Sequence, residues 1–364
     1  MKICLIDVTP SHYRYEIFSL MNKEFDIEFY FGDIMPSIKS LDLDKLLGFK
    51  GIIPIKKMGR LYRYVGLQSL LKAEYSHYIL DGDFRCLSSW RFLLHAYFIK
   101  NKKTYVWTHA WYGRENLIKR LVKKFFFKLT DGIFVYGDYA KNLMIKEGFN
   151  PSKLFVVHNS LAYDQQLKIR KRLAPSNIYK NYFNNDDPNL IFIGRLTPVK
   201  KLDMILYAIN ILKMRNVNCN MTYIGDGTEK SELIKLVESL DLKDKVRFYG
   251  ACYDETINAE LIYNADLCIS PGNIGLTAIH AMTFGTPVIT HNNFPNQMPE
   301  FEIIKPNITG CFYEYGNVES LAETIKDWLE SHTDRDAVRK YCYKEIDENW
   351  NPHFQLKVFK QVFN

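Results

Sequence analysis

The sequence predicts an α/β protein of two Rossmann-like domains, each built on a parallel sheet and facing its partner across a cleft. Three observations carry this. Short apolar strands alternate with helical segments along the whole chain, which is the rhythm of βαβ units. The chain has 364 residues, more than one hydrophobic core usually serves. A polar stretch without a clear strand, IRKRLAPSNIYKNYFNNDD, interrupts the rhythm at residues 169–187. The expected organisation is therefore an N-terminal domain over 1–168, a linker over 169–187, a C-terminal domain over 188–345, and a last helix over 346–364 that packs back on the first domain.

In the first half the strand candidates are KICLIDV, DIEFYFG, HYILDGD, TYVWTHA, GIFVYG and LFVVHNS, rich in Ile, Val, Phe and Tyr. Helical segments lie between them, over 15–24, 88–100, 114–129 and 140–147. The second half repeats the pattern with NLIFIG, CNMTYIG, KVRFYG, DLCISP and TPVIT. Its helices are expected over 202–215, 230–240, 259–264, 277–283 and 320–331. Asp226-Gly227, Gly285-Thr286-Pro287 and the run from Asn307 to Gly310 supply turn chemistry between elements.

Composition narrows the class. The chain is 47% hydrophobic and 24% charged, as globular proteins are. No apolar run approaches the roughly 20 residues that cross a bilayer. The opening MKICLIDVTP reads as a buried strand and not as a signal peptide. Seven cysteines are scattered without a C-x-x-C pair, so reduced, buried thiols and a cytoplasmic location are expected. The net charge of +7 is uneven: residues 1–168 carry 26 Lys/Arg against 16 Asp/Glu (+10), and residues 169–364 carry 22 against 25 (−3). No helix-turn-helix, zinc or RNA-recognition signature accompanies the basic half, and no nucleic-acid partner is expected. An anionic membrane surface or an anionic acceptor suits the charge as well.

Two segments of the second half offer what an anion wants. In LIFIGRLTPVKKLD, Gly194 ends a strand and lets a ligand approach the backbone, while Arg195 and Lys200 follow as fixed cations. In SPGNIGLTAIHAMTFGTPVIT, Gly275, Leu276 and Thr277 open a helix, and amides at a helix start suit phosphate. Together they suggest a diphosphate held between two loops, hence a nucleotide or nucleotide-sugar site.

The order GRLTPVKKLD, IGDGTEKSEL, VRFYGACYDE, ADLCISPG, GLTAIHAMTFGTPVIT and PEFEIIKPNITGCFY resembles the C-terminal domain of a retaining, GT-B fold glycosyltransferase of the large family 4. The resemblance covers nearly the whole second half and only loosely the first. It implies a nucleoside-diphosphate sugar donor, no cofactor and no metal, with Arg195 and Lys200 neutralising the leaving diphosphate. It places Ala251, Cys252 and Tyr253 at the base pocket. It also implies two glutamates separated by seven residues, one near the donor sugar and one on the ribose hydroxyls. Those positions here are Gly272 and His280, so both carboxylates are replaced. His280 can still hydrogen-bond a ribose hydroxyl, Asn273 can contact the sugar, and Glu300 or Glu302 could bring a carboxylate from the next loop. In the first half the resemblance puts His109, at the end of TYVWTHA, on the donor sugar. His12 and Arg14, in TPSHYRYE after the first strand, are acceptor-side candidates.

Asp81-Gly82-Asp83 looks like a metal-binding D-x-D from another glycosyltransferase fold, but it ends a Rossmann-like strand and reads as a turn. Residues 114–129 combine Arg114, Lys119, Arg120, Lys123, Lys124 and Lys128 with Leu117, Leu121, Phe125, Phe126 and Leu129. Such a helix can lie on anionic lipid or bury one face in the core. The function implied is sugar transfer from a nucleotide donor to a glycan or lipid-linked glycan acceptor, in surface-polysaccharide assembly, on or near the inner face of the cell membrane. Two rivals stay open: a silent nucleotide-sugar or glycan-binding subunit, and a nucleotide-sugar epimerase.

Overall fold

The computed structural model of the protein describes residues 1–33, 40–99 and 101–364; the end of the helix expected over 88–100 falls at Lys100, outside the described residues. The chain divides into two compact units, Met1–Ala162 together with Asn351–Asn364, and Tyr163–Trp350.

The first unit holds β1 (Lys2–Asp7), β2 (Asp26–Gly32), β3 (Phe49–Ile53), β4 (Ile55–Met58), β5 (Leu61–Tyr64), β6 (His77–Asp81), β7 (Lys103–Thr108), β8 (Gly132–Val135) and β9 (Leu154–Val156). Its helices are α1 (Tyr15–Glu24), α2 (Gln68–Lys72), α3 (Leu87–Ile99), α4 (Leu117–Lys128) and α5 (Asp138–Lys146). Seven strands form one sheet in the order β3-β2-β1-β6-β7-β8-β9, every pair parallel. The six strands expected from the sequence are all in it. The seventh, β3, has Lys50 and Gly51 in its five residues, too little apolar alternation to register as a strand. The antiparallel β4–β5 hairpin was also not anticipated, because IKKM and LYRY are short and basic.

The second unit holds β10 (Asn189–Ile193), β11 (Asn220–Ile224), β12 (Val246–Gly250), β13 (Leu267–Ser270), β14 (Val288–His291) and β15 (Gly310–Tyr313). Around them lie α6 (Tyr163–Arg170), α7 (Ile178–Phe183), α8 (Asp203–Met214), α9 (Lys230–Ser239), α10 (Glu255–Asn264), α11 (Thr277–Thr283), α12 (Val318–Ser331) and α13 (Arg335–Asn349). The sheet order is β12-β11-β10-β13-β14-β15, again all parallel. β11, β13 and β14 are buried at every residue, as strands covered by helices on both faces must be. The stretch 169–187 contains no strand; α7 within it is anchored to this unit by buried Tyr179, whose hydroxyl donates to the Leu261 carbonyl at 2.7 Å. Helix α13 escaped the sequence reading because its buried stripe is only Val338, Arg339, Cys342 and Ile346 in an otherwise charged segment.

The chain then returns to the first unit as α14 (Pro352–Phe363). Phe359 lies 4.6 Å from Phe134 and 5.1 Å from Trp107, centroid to centroid, and Phe363 lies 5.0 Å from Tyr105. Buried Gln355 fixes the register, donating to the His158 carbonyl (3.0 Å) and accepting from Ser160 Oγ (2.7 Å). All seven cysteines are free thiols, five of them buried.

Each sheet reverses its strand order beside its central strand, between β1 and β6 in one unit and between β10 and β13 in the other. Loops at the C-terminal ends of those strands border a crevice in which open α/β sheets hold ligands. The packing of α14 generates a stability prediction. Phe359 is wholly buried among aromatic rings, so Phe359→Ala should destabilise the first unit by about 3–5 kcal/mol. Urea unfolding followed by tryptophan fluorescence would check this, and a loss below about 1 kcal/mol would mean that α14 is not part of that core.

Candidate functional site

In the second unit the site begins where β10 and β11 end. Gly194 (φ 148°) and Gly225 (φ 141°) meet there, and a Cβ on Gly225 would stand 1.9 Å from the Gly194 carbonyl oxygen. The glycine pair lets the two strand ends close up, and Gly194 N–H donates to the Ile224 carbonyl (2.9 Å). Beyond Gly194, the loop carries exposed Arg195 and a short 3-10 turn, Pro198–Lys200.

The facing loop, between β13 and α11, is bound to this turn. Gly272 N–H donates to the Lys200 carbonyl (2.8 Å), and Thr277 Oγ1 donates to the Ile193 carbonyl (2.9 Å). Lys200 Nζ donates to the Asn273 carbonyl (2.6 Å), to Asn273 Oδ1 (3.1 Å) and to the Ile274 carbonyl (3.4 Å). Gln297 braces the same loop from behind, accepting from Ile274 N–H (3.0 Å) and donating to Thr290 Oγ1 (2.8 Å). Gly275 (φ 58°) completes the turn; a Cβ there would lie 3.9 Å from Lys200 Nζ. The first helical bonds run from Ala278 N–H to the Gly275 carbonyl and from His280 N–H to the Leu276 carbonyl. The amides of Gly275, Leu276 and Thr277 stand ahead of that ladder. Gly194, Arg195, Lys200, Asn273, Gly275, Leu276 and Thr277 therefore come together on one edge of one sheet.

Lys200 is the unusual group. Burial, assisted by the Arg195 guanidinium, pulls its ammonium down to about 8, against the opposing pull of the Glu300 carboxylate. Its hydrogen-bond partners are neutral carbonyl and amide oxygens. An ammonium so placed gains more from an incoming anion than a solvated one would.

Gly272 and His280 stand in different surroundings. A Cβ on Gly272 would stand 2.0 Å from the Val199 carbonyl oxygen and 2.7 Å from the Lys200 backbone. The basic turn is packed against Gly272 too tightly for any side chain. His280 is not in the cluster around Lys200. Its Nε2 lies 3.0 Å from Glu255 Oε1 at the start of α10, and the same oxygen accepts from Gln166 Nε2 of α6 (2.6 Å). Burial would raise the Glu255 carboxyl, but His280 and the hydrogen bonds from Gln166 and Asn258 outweigh it and leave it lowered. Gln166 Oε1 and Asn258 Oδ1 beside the pair are buried without a hydrogen-bond partner among the described residues. Glu255 was missed in the sequence because 25 residues separate it from His280. The only local signal was Asp254, which caps α10 by accepting from Thr256 N–H (2.8 Å), with an acid next to it. Ala251, Cys252 and Tyr253 form the loop between β12 and α10, with Tyr253 84% exposed. Glu300 is buried in the 3-10 turn Pro299–Ile303, and Glu302 is only partly buried.

In the first unit, His109 follows β7 and its ring lies 4.7 Å from that of Tyr136. Burial and the charge of Arg14 depress its imidazole to about 4, so it is neutral at physiological pH. Its Nδ1 is buried without a hydrogen-bond partner among the described residues. Arg14 is gripped by the Asp7 carboxylate and the Tyr136 hydroxyl and lies over the Trp107 ring (4.3 Å). Exposed His12 opens the 3-10 turn His12–Arg14. Asp81 and Asp83 turn to separate partners: Asp81 accepts from the Tyr62 hydroxyl (2.5 Å), and Asp83 takes the Arg85 guanidinium side-on (2.6 Å). Burial and the neighbouring Asp7 push the Asp81 carboxyl up to about 7.

Comparison with known proteins places this geometry. Residues 175–345 match the family model for glycosyl transferases group 1. The chain has the GT-B fold. Anabaena HepE in complex with UDP superposes with a TM-score of 0.71 at 14% identity, covering 100% of this chain and 99% of that one. The lipopolysaccharide outer core galactosyltransferase WaaB, in its apo form, gives 0.70 at 14% identity over 100% and 99%. An uncharacterized 41.2 kDa protein in the cps region of Klebsiella pneumoniae is 25% identical over 248 residues, 66% of this chain and 64% of that protein. The chain thus spans less than two thirds of that curated relative. No helix among the described residues is long and apolar enough to cross a membrane.

Two predictions follow from the geometry of this group 1 region. Introducing a glutamate by Gly272→Glu should lower the melting temperature, at a cost of about 1–3 kcal/mol from overpacking against Val199. A variant that melts with the wild type would show that the loop has room. For any diphosphate bound at Lys200, the anion raises a pKa that lies at about 8 in the free protein. Affinity should be full below pH 8 and fall as pH rises through it, with proton uptake on binding near pH 8.5. Calorimetry with UDP, whose diphosphate is already fully ionised at that pH, in two buffers of different ionisation enthalpy would read that uptake; its absence would mean that Lys200 does not meet the anion.

Proposed function

We propose that the protein is a retaining glycosyltransferase that moves a sugar from a nucleoside-diphosphate donor to a hydroxyl of a glycan or lipid-linked glycan. The observation that carries this reading is Lys200 held by Asn273 at the Gly275 turn, with Arg195 close enough to influence its charge. The two cations neutralise the diphosphate as the glycosidic bond to it breaks, and the amides of Gly275, Leu276 and Thr277 receive its oxygens. With this charge supply from the chain itself, the transfer needs neither metal nor cofactor. Asn273 presents its side chain beside Lys200 toward the donor sugar, and neutral His109 is the first-unit candidate for the same sugar. The ribose hydroxyls fall to the Glu255–His280 pair, which has a carboxylate, an imidazole and two unfilled acceptors nearby. The base lies against Ala251, Cys252 and Tyr253. His12 and Arg14 belong to the acceptor side. Retention follows from front-face attack, in which a leaving phosphate oxygen takes the proton of the acceptor hydroxyl.

Relatives support the setting. One is a lipopolysaccharide galactosyltransferase and another comes from a cps region, so assembly of a surface polysaccharide at the inner face of the membrane is the proposed role. HepE's complex with UDP makes UDP the first nucleotide to test.

A second reading, a silent nucleotide-sugar-binding subunit, is favoured by Gly272, where the backbone leaves no room for a carboxylate. A thermal-shift screen of UDP, GDP, dTDP and CMP, followed by turnover with the sugar forms of the nucleotide that binds, separates the two. The expected result is one stabilising nucleotide, worth about 2.7 kcal/mol at a hundredfold excess over Kd, and slow hydrolysis or transfer of its sugar. Arg195→Ala with Lys200→Ala should cut kcat by roughly 10²–10³ or more. Unchanged turnover in that double variant would overturn the assignment, and binding with neither transfer nor hydrolysis would establish the silent subunit.

A further inference from the structure

Helix α4 is apolar on two sides, and only one of them is used by the core. Phe126, Phe127 and Lys123 face inward. Lys123 is buried in an ion pair with Glu115 (2.6 Å) and lies over the Trp111 ring (4.9 Å), so it belongs to the interior and not to the basic surface that the sequence suggested. The opposite stripe, Leu117, Ile118, Leu121 and Phe125, is turned to solvent, with Ile118 75% and Leu117 69% exposed. Helix α3 adds a second stripe at helical spacing, Leu94 and Phe98, the latter 76% exposed. The two stripes adjoin where Trp90 of α3 packs on Phe125 of α4 (5.7 Å).

Cations border this apolar face. Lys119, Arg120 and Lys128 are exposed on α4, and Arg91 is exposed on α3. Arg120 and Lys124 share one carboxylate, Glu147, leaving that cluster positive. Next to α3, tied to it by Tyr64 N–H donating to Ser88 Oγ (3.0 Å), the β4–β5 hairpin exposes Lys56, Lys57, Arg60 and Arg63. Soluble monomers rarely leave contiguous apolar surface of this kind uncovered. A symmetric second copy would set these cations against themselves. A surface that is apolar below and anionic above matches both the stripe and its border.

We propose that the first unit docks on an anionic membrane through the α3–α4 face, with Phe98, Ile118 and Leu121 entering the acyl boundary and the hairpin and α4 cations meeting lipid phosphates. The proposal stands apart from the transferase reading, since docking is read without donor or turnover.

The test is flotation of the full chain with vesicles of phosphatidylcholine alone and of phosphatidylcholine with phosphatidylglycerol. Binding is expected on the anionic vesicles, weakening as salt rises. Phe98→Ser with Ile118→Ser and Leu121→Ser should weaken it by roughly tenfold or more and leave the melting temperature unchanged, because all three side chains are exposed. Lys119→Glu with Lys128→Glu should weaken binding to anionic vesicles. No binding to either vesicle, or equal binding to both with the charge variant unaffected, would overturn the proposal. So would a concentration-dependent dimer that the triple serine variant abolishes, which would make the face a protein interface.

Discussion

The ammonium of Lys200 holds the second unit's site together. It joins the loop after β10 to the loop after β13 by donating to the Asn273 carbonyl, the Asn273 side-chain oxygen and the Ile274 carbonyl. Its hydrogen bonds run to neutral oxygens, and burial, assisted by the Arg195 guanidinium, lowers its pKa against the pull of the Glu300 carboxylate. The close approach of the loops makes the other local features necessary. Gly272 has no space for a side chain, Gly194 and Gly225 meet at the strand ends, and Gln297 braces the turn from behind. The absence of a side chain at position 272 is thus coupled to the packing of the basic turn.

His280 has a different setting. Position 280 faces α10 and α6, and its imidazole meets a carboxylate carried by α10. Negative charge is still present on this side of the unit, but it comes from another helix and is shared with Gln166. Burial would raise the Glu255 carboxyl, but His280 and the hydrogen bonds from Gln166 and Asn258 leave it lowered. A carboxylate hydrogen-bonded to an imidazole keeps lone pairs that can accept from a hydroxyl. Gly272 and His280 therefore stand in unrelated settings, one set by steric closeness and the other by a carboxylate on α10.

Much of the fold could be read before any coordinates. Parallel strands buried on both faces are continuous apolar runs, and eleven of the thirteen sheet strands announced themselves that way. β3 and β15 did not: β3 carries Lys50 and Gly51 within five residues, and β15 is a four-residue strand that opens on glycine. The cluster of Arg195, Lys200 and Gly275 was legible because each lies within a few residues of a strand end, where topology alone brings loops together. The Glu255–His280 pair was not, since it depends on how three helices pack. Lys123 shows the same limit: its place in a helical wheel of lysines says surface, and only Glu115 and Trp111 draw it inward.

Charge is distributed between the units in opposite styles. The first unit spreads its excess over exposed side chains of a hairpin and two helices, where it acts through the field of many weakly held cations and is screened by salt. The second unit belongs to a half of the chain with a small negative balance, yet it places Lys200 where water is scarce and a single charge acts strongly. One arrangement suits a broad anionic surface that needs no fixed geometry. The other suits a compact anion whose position must be defined to within a hydrogen bond. An overall net charge of +7 conceals this division, because the desolvated lysine that governs the site contributes no more to that sum than any lysine on the hairpin.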